Sequence, residues 1–194
     1  MIEAITAWDA NILLFIQAHL RTAVGDILLP AWSNLGNAGL IWISAAIVLL
    51  LFPKTRRAGA VACGAMLLSL LFVNGILKHL VSRERPWLVV EGLHTLLRSN
   101  DPNSFPSGHT SAAFAFAAAL SGTLDRTWPK VLAVAAAALM GWSRLYVGVH
   151  FPSDVLAGAI IGSLCGVLAS WLYRHFWQKR FPLYGRGRNG PGEA

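Results

Sequence analysis

From Asp154 to Trp177 the chain runs DVLAGAIIGSLCGVLASWLYRHFW, with one carboxylate at its head and cations only near its end. The uncharged stretch between them is close to the ~20 residues that a helix needs to cross a bilayer. Gly158, Gly162 and Gly166 recur every fourth residue, which gives this helix a small-residue face for close packing against a neighbour. A soluble domain has no use for such a segment unless it is wholly buried, and the rest of the chain repeats the pattern. Apolar blocks cover 38–52, 57–78, 109–124 and 130–145. The stretch 4–20 (AITAWDANILLFIQAHL) is less regular, since Asp9, Asn11, Gln17 and His19 interrupt it, so it either spans or lies in the interface. Counted as a first span, it brings the total to six. The expected fold is an all-α, polytopic membrane helix bundle.

Composition agrees. Of 194 residues, 55% are hydrophobic and 13% charged, about half the charge that a soluble domain carries. That excludes an ordinary water-soluble enzyme and a disordered chain, which needs the opposite balance. The formal charge of +7 would suggest nucleic acid in a soluble protein. Here membrane topology accounts for it, and the expected partners are the bilayer and a membrane lipid, with no nucleic acid. Lys54, Arg56 and Arg57 follow the second span, Arg126 and Lys130 lie between the fourth and fifth, and Arg174, Lys179, Arg180, Arg186 and Arg188 follow the sixth. Placing both termini in the cytoplasm puts all of these on the inner side, as the positive-inside bias requires. The expected location is therefore the inner (cytoplasmic) membrane. The outer side receives Arg21, Lys78, Arg83, Arg85, Arg98 and Arg144. No basic segment precedes the first apolar block, so a cleaved signal peptide is not expected. Residues 1–178 form one membrane domain, and 179–194 a basic, Gly-rich cytoplasmic tail expected to be partly disordered.

Topology then tests itself. Lys78 ends the third span and Arg144 the fifth, both running outward, whereas His109 and Asp154 begin the fourth and sixth, both running inward. All four reach the same membrane face. Arg85 and His150 join them from the adjoining connections, and ionisable groups at such depth are costly enough to mark a functional site. Three cations suit an anion with several oxygens, and arginine offers a fork that matches phosphate. Two helix N-termini add N–H donors. In Pro106-Ser107-Gly108-His109, Ser107 is a good N-cap and Gly108 permits close approach of a ligand to the backbone. Pro152 fits the first turn of the sixth span. Two histidines beside this cradle suggest phosphoryl transfer: one neutral imidazole attacks phosphorus, and the other protonates the leaving oxygen. Asp154, four residues after His150, is placed to orient that ring. Physics alone does not say which histidine attacks.

No cofactor motif is present. His109, His150 and Asp154 could in principle hold zinc, but three neighbouring cations oppose that, so no metal is expected. Cys63 and Cys165 sit in separate apolar blocks with no metal-type spacing. Glu84, Glu91 and Asp101 in the outward loop 79–108 read as solvated loop charges.

Lys78-x6-Arg85-Pro86, Pro106-Ser107-Gly108-His109 and Ser143-Arg144-x5-His150-x3-Asp154 together resemble the three-part signature of the type 2 phosphatidic acid phosphatase family. The resemblance spans about residues 78 to 154. It implies a six-span bundle with an outward-facing site and metal-independent hydrolysis of a lipid phosphate through a phosphohistidine. Lys78, Arg85 and Arg144 would hold the phosphate with Ser107 and Gly108, His150 would attack, Asp154 would orient it and His109 would act as acid. Undecaprenyl diphosphate, phosphatidylglycerol phosphate and phosphatidic acid are the expected substrates, the first favoured by chain size. A lipid phosphotransferase and a non-catalytic lipid-phosphate binding or translocating protein are the competing expectations. The oriented His150–Asp154 pair speaks against the last, because binding alone needs no nucleophile.

Overall fold

The computed structural model describes residues 2–99 and 101–177; the tail expected at 179–194 lies outside them. Among the described residues the architecture is helical, and the extended pairing it contains is an isolated antiparallel bridge between Glu84 and Asn103. In chain order the helices are α1 (Ile2–Phe15), α2 (Gly25–Leu35), α3 (Leu40–Leu51), α4 (Arg56–Phe72), α5 (Lys78–Val81), α6 (Pro86–Val89), α7 (Gly108–Thr123), α8 (Thr127–Tyr146) and α9 (Pro152–Leu172). Each apolar block of the sequence is therefore a helix. A wider π-turn over Val73–Leu77 joins α4 to α5, so that Arg56–Val81 is one rod of 26 residues whose most apolar 18-residue stretch has a mean hydropathy of 2.2. Pro152–Phe176 is a second, of 25 residues, with a mean hydropathy of 2.0 over its most apolar 18. These two are long and apolar enough to cross a bilayer alone, and α2 with α3 forms a third candidate bent by 54°. The segment 21–37, between the first two apolar blocks, contains a helix of its own, α2, which carries Pro30 within it.

The apolar surface points outward from this bundle. Leu67, Leu70 and Leu71 on α4, Trp128, Val131 and Leu132 on α8, and Leu156, Leu164 and Val167 on α9 are all exposed. In water such a surface would aggregate; facing acyl chains it is the expected boundary of a membrane protein. The core is correspondingly made of small residues. Helix α7 is its axis, with Ala113, Ala115, Ala117 and Ala119 buried against α3, α4, α8 and α9. A Cβ added at Gly158 would come within 2.6 Å of the Ser107 carbonyl oxygen, and one at Gly166 within 2.7 Å of that of Ala115. The glycine face of α9 thus seats directly on the α7 backbone, where dispersion between close-packed helices stands in for the hydrophobic effect that lipid does not supply. Ser69 and Ser111, hydrogen-bonded at 2.6 Å, fasten α4 to α7.

Helix α1 is held differently. Asp9 is fully buried and paired with Arg83, Gln17 Nε2 donates to the Gly92 carbonyl (2.9 Å), and the Gln17 amide oxygen accepts the His94 N–H (2.7 Å). Arg21, just beyond it, donates to the carbonyls of Tyr146 and His94. Of the polar residues that made 4–20 irregular in sequence, Asp9 and Gln17 anchor it to the end of the bundle where α4 and α8 finish and α7 and α9 begin.

Candidate active site

Five chain segments deliver the polar groups to that end. Ser82, at φ 46°, turns the chain after α5, and the Ser104 N–H bonds the Arg83 carbonyl at 2.7 Å. This pairing lays 83–85 beside 101–104. Gly148, at φ 77°, makes the tight turn after α8 that presents His150. The Ser107 N–H donates to the Asp154 carbonyl at 3.0 Å, so the starts of α7 and α9 are joined by backbone as well as by packing.

Arg85 is buried and central. Its Nη1 donates to the Val149 carbonyl (2.9 Å) and lies 3.0 Å from His150 Nε2, its Nη2 donates to Ser99 Oγ (3.2 Å), and its Nε donates to the Asp101 carbonyl (3.0 Å). His150 Nδ1 lies 2.8 Å from the Ser104 carbonyl oxygen. A carbonyl only accepts, so Nδ1 carries the proton and Nε2 offers its lone pair toward the Arg85 guanidinium. The ring stands in the connection between α8 and α9. Burial first, and then the cations Arg85, Arg144 and Lys78, hold it well below the ordinary histidine range. It is a neutral imidazole with Nε2 free of hydrogen.

Asp154 acts on the ring by charge rather than by a hydrogen bond. Its Oδ2 is 3.7 Å from His150 Nδ1, beyond hydrogen-bond distance. Its oxygens are otherwise engaged: Oδ2 accepts the Phe151 N–H (2.9 Å) and Oδ1 accepts Arg83 Nη1 (2.7 Å). The tautomer is set by a main-chain carbonyl, and Asp154 stands behind the ring as its nearest negative charge. Arg83 in turn is clamped. Its Nη2 donates to Asp9 Oδ2 (2.8 Å), its Nη1 also reaches Ser153 Oγ (2.7 Å), and its guanidinium lies over the Phe151 ring at 3.9 Å. Asp9 also accepts the Ser153 N–H at 3.0 Å.

The remaining candidates surround this centre. Lys78 pairs with Asp101. Arg144 is buried at the end of α8 with Nη1 on Ser33 Oγ of α2, and its Nε has no hydrogen-bond partner among the described residues. Ser107 occupies the N-cap position of α7, yet its hydroxyl bonds Thr110 Oγ1 (3.0 Å) in place of a backbone N–H. Gly108 faces Asn74: a Cβ there would lie 3.2 Å from the Asn74 amide oxygen. His109 Nε2 is 2.9 Å from Asn37 Oδ1, an acceptor, so Nε2 holds a proton. Arg85, His150 and Asp154 therefore cluster directly, Lys78 reaches Arg85 through Asp101, and His109 and Arg144 are tied to α2 and the α2–α3 bend. Among the described residues no group of three His, Cys, Asp or Glu side chains is placed to hold a metal ion.

Sequence reasoning missed Asp9, Ser33, Asn37 and Arg83, and it misread Asp101. Asp9 was visible as a carboxylate in an apolar helix, and Arg83 as a cation on the sparsely basic side. Ser33 and Asn37 gave no signal.

The fold and site define a helical, multi-pass membrane protein with a buried arginine–histidine cluster suited to an oxyanion. Residues 58–178 match the PAP2 superfamily model, and the chain belongs to that family. It is 31% identical over 129 residues to an undecaprenyl-diphosphatase of Sulfolobus acidocaldarius; the match covers 66% of this chain and 62% of that one, so the chain spans less than two thirds of that relative's length. Among solved structures it resembles Aquifex aeolicus LpxE, with a TM-score of 0.72, 31% identity and coverage of 81% of this chain and 91% of that one. It also resembles a PAP2-type phosphatidylglycerolphosphate phosphatase from Bacillus subtilis, with a TM-score of 0.71, 25% identity and coverage of 89% and 88%.

Proposed function

We propose that this protein is a membrane lipid phosphatase that removes a terminal phosphate from a lipid phosphate or diphosphate through a phosphohistidine at His150. The observation that carries this reading is the state of His150: Nδ1 bonded to the Ser104 carbonyl, Nε2 bare, and Arg85 beside it. A neutral nitrogen so placed is a nucleophile, and a guanidinium within 3.0 Å of it holds the phosphoryl oxygens for attack. Family membership and the lipid phosphatases among its relatives support the same chemistry.

In the first half-reaction His150 Nε2 attacks phosphorus and the bond from phosphorus to the lipid-side oxygen breaks. That oxygen takes a proton from the His109 imidazolium, which becomes the neutral imidazole, and the lipid leaves. In the second, water attacks the phosphohistidine while His109 takes its proton, the P–N bond breaks, and inorganic phosphate departs. Lys78, Arg85 and Arg144 hold the phosphate oxygens together with the backbone at Ser107 and Gly108. Asp154 stabilises the charge that His150 gains on phosphorylation. No step calls for a metal or cofactor.

The six-span count, the cytoplasmic termini, the inner-membrane location and the outward-facing site belong to the same proposal. The distribution of Lys and Arg supports them. Undecaprenyl diphosphate is the favoured substrate, with phosphatidylglycerol phosphate and phosphatidic acid beside it.

Phosphate release by detergent-purified protein in EDTA, with these three lipids and a His150→Ala control, tests the reading. Release that is absent from the control, and an acid-labile, base-stable phosphoryl group on the wild-type protein, are the expected results. Equal release by the control overturns the assigned nucleophile. No release from any lipid by a folded sample overturns the activity.

A further inference from the structure

Asp101 was read from sequence as a solvated loop charge. In the structure its carboxylate sits inside the cradle. One oxygen, Oδ2, pairs with Lys78 Nζ and lies 3.7 Å from Arg85 Nη2, so a single oxygen is shared by two of the cations assigned to the phosphate. The other, Oδ1, accepts the Asn103 N–H at 3.0 Å, and the main-chain carbonyl accepts Arg85 Nε at 3.0 Å. Its side chain keeps 38% of its exposure, against 13% for Lys78 and 2% for Arg85, so the carboxylate closes the solvent side of the cradle over deeper cations. Arg85 touches Asp101 with one end of its fork and His150 with the other. A phosphate held for attack by His150 must therefore exchange with this carboxylate.

We propose that Asp101 is a specificity-determining residue that makes the site reject phosphodiester headgroups and admit terminal phosphates. The proposal rests on the lipid phosphatase reading of the same site. The reasoning is a charge balance. A diester headgroup carries one negative charge, as Asp101 does, so exchange gains no Coulomb energy. The carboxylate also has the advantage of tethering, since an intramolecular partner acts at an effective concentration in the millimolar range. A terminal phosphate carries about −1.5 to −2 near neutral pH and three acceptor oxygens, so it bonds both cations better than one shared carboxylate oxygen does. Diester lipids are the bulk of a phospholipid membrane and would otherwise occupy the cradle. Asp101 acts as an internal competitor that only the more highly charged headgroup displaces.

The test compares wild type, Asp101→Asn and Asp101→Glu in mixed micelles at constant total lipid. Phosphate release from a terminal-phosphate lipid is measured as phosphatidylglycerol, a monoanionic diester, replaces phosphatidylcholine, which carries no net charge. Wild type and Asp101→Glu should respond little, whereas Asp101→Asn should be inhibited at about tenfold lower phosphatidylglycerol. A second readout needs no turnover: inorganic phosphate should raise the thermal unfolding midpoint of Asp101→Asn at about tenfold lower concentration than it raises that of wild type. If Asp101→Asn is no more sensitive than wild type to the diester and to phosphate, the proposal is wrong while the phosphatase reading stands. If wild type releases phosphate from no lipid, both are wrong. Should Asp101→Asn fail to fold, Asp101→Ser takes its place in both assays.

Discussion

The α7–α9 seam and the polar end it leads to are built from opposite materials. Along the seam, Gly158, Gly162 and Gly166 of α9 lie on backbone carbonyls of α7, and no charge is involved. At the polar end, Asp9, Arg83, Asp154 and Ser153 form one connected network, with Arg85 and His150 beside it. The seam holds two helices at a fixed separation; the network holds side chains in fixed orientations. In a bilayer the first job falls to small residues because lipid gives no hydrophobic reward for helix association. The second falls to paired charges because buried charges must be partnered. Substitutions in the two regions should fail differently, in stability along the seam and in turnover at the polar end.

The sharpest way to break that contrast is Gly162→Val. The seam has no room there, since even a methyl group would overlap the Ser111 backbone, and overpacking of this kind costs about 3 kcal/mol or more. Detergent-extracted variant should yield little monodisperse protein, whereas His150→Ala, silent in turnover, should unfold close to the wild-type temperature. A well-behaved Gly162→Val would mean that the seam does not set the helix spacing. Next in size, Arg83→Met should lower kcat about tenfold or more with KM nearly unchanged, because Arg83 binds Asp154 and Asp9. Arg83→Lys should recover part of the loss. A rise in KM as large as the fall in kcat would place Arg83 in substrate binding instead. The smallest effect is acid sensitivity. The folded protein keeps His150 neutral below its ordinary value of 6.5, while the unfolded chain binds a proton there. Stability contributed by the neutral ring is present above 6.5 and is lost as pH falls below it, by up to about 1.4 kcal/mol per pH unit. Unfolding midpoints measured from pH 7.5 to 5 should fall less steeply for His150→Gln than for wild type.

The sequence carried the helices and the signature residues because both are local. Periodic glycine, apolar blocks and motif spacing need no knowledge of what lies across the bundle. Alternating direction of the spans even brings Lys78, His109, Arg144 and Asp154 toward one end of the bundle from the sequence alone. What stayed illegible was the pairing between distant segments. Asp9 and Arg83 are 74 residues apart, and Asn37 and His109 are 72 apart. Spacing cannot encode such contacts, although the unfavourable placement of Asp9 in an apolar helix and of Arg83 at the sparsely basic end hinted that each needed a partner. Asp154 shows how spacing overstates geometry. A separation of four residues suggested a direct bond to His150, but a carboxylate in the first turn of α9 is captured by the Phe151 N–H and by Arg83.

The Ser104 carbonyl that fixes the His150 tautomer has a genetic consequence. A main-chain oxygen cannot be deleted by changing a codon, because every residue that fits the buried position at 104 supplies it. A survey of single substitutions will therefore find the His150 ring and its cations but will pass over the group that points the ring. The instruction is written into the route of the chain, secured where the Ser104 N–H meets the Arg83 carbonyl, and only a change in loop length would erase it.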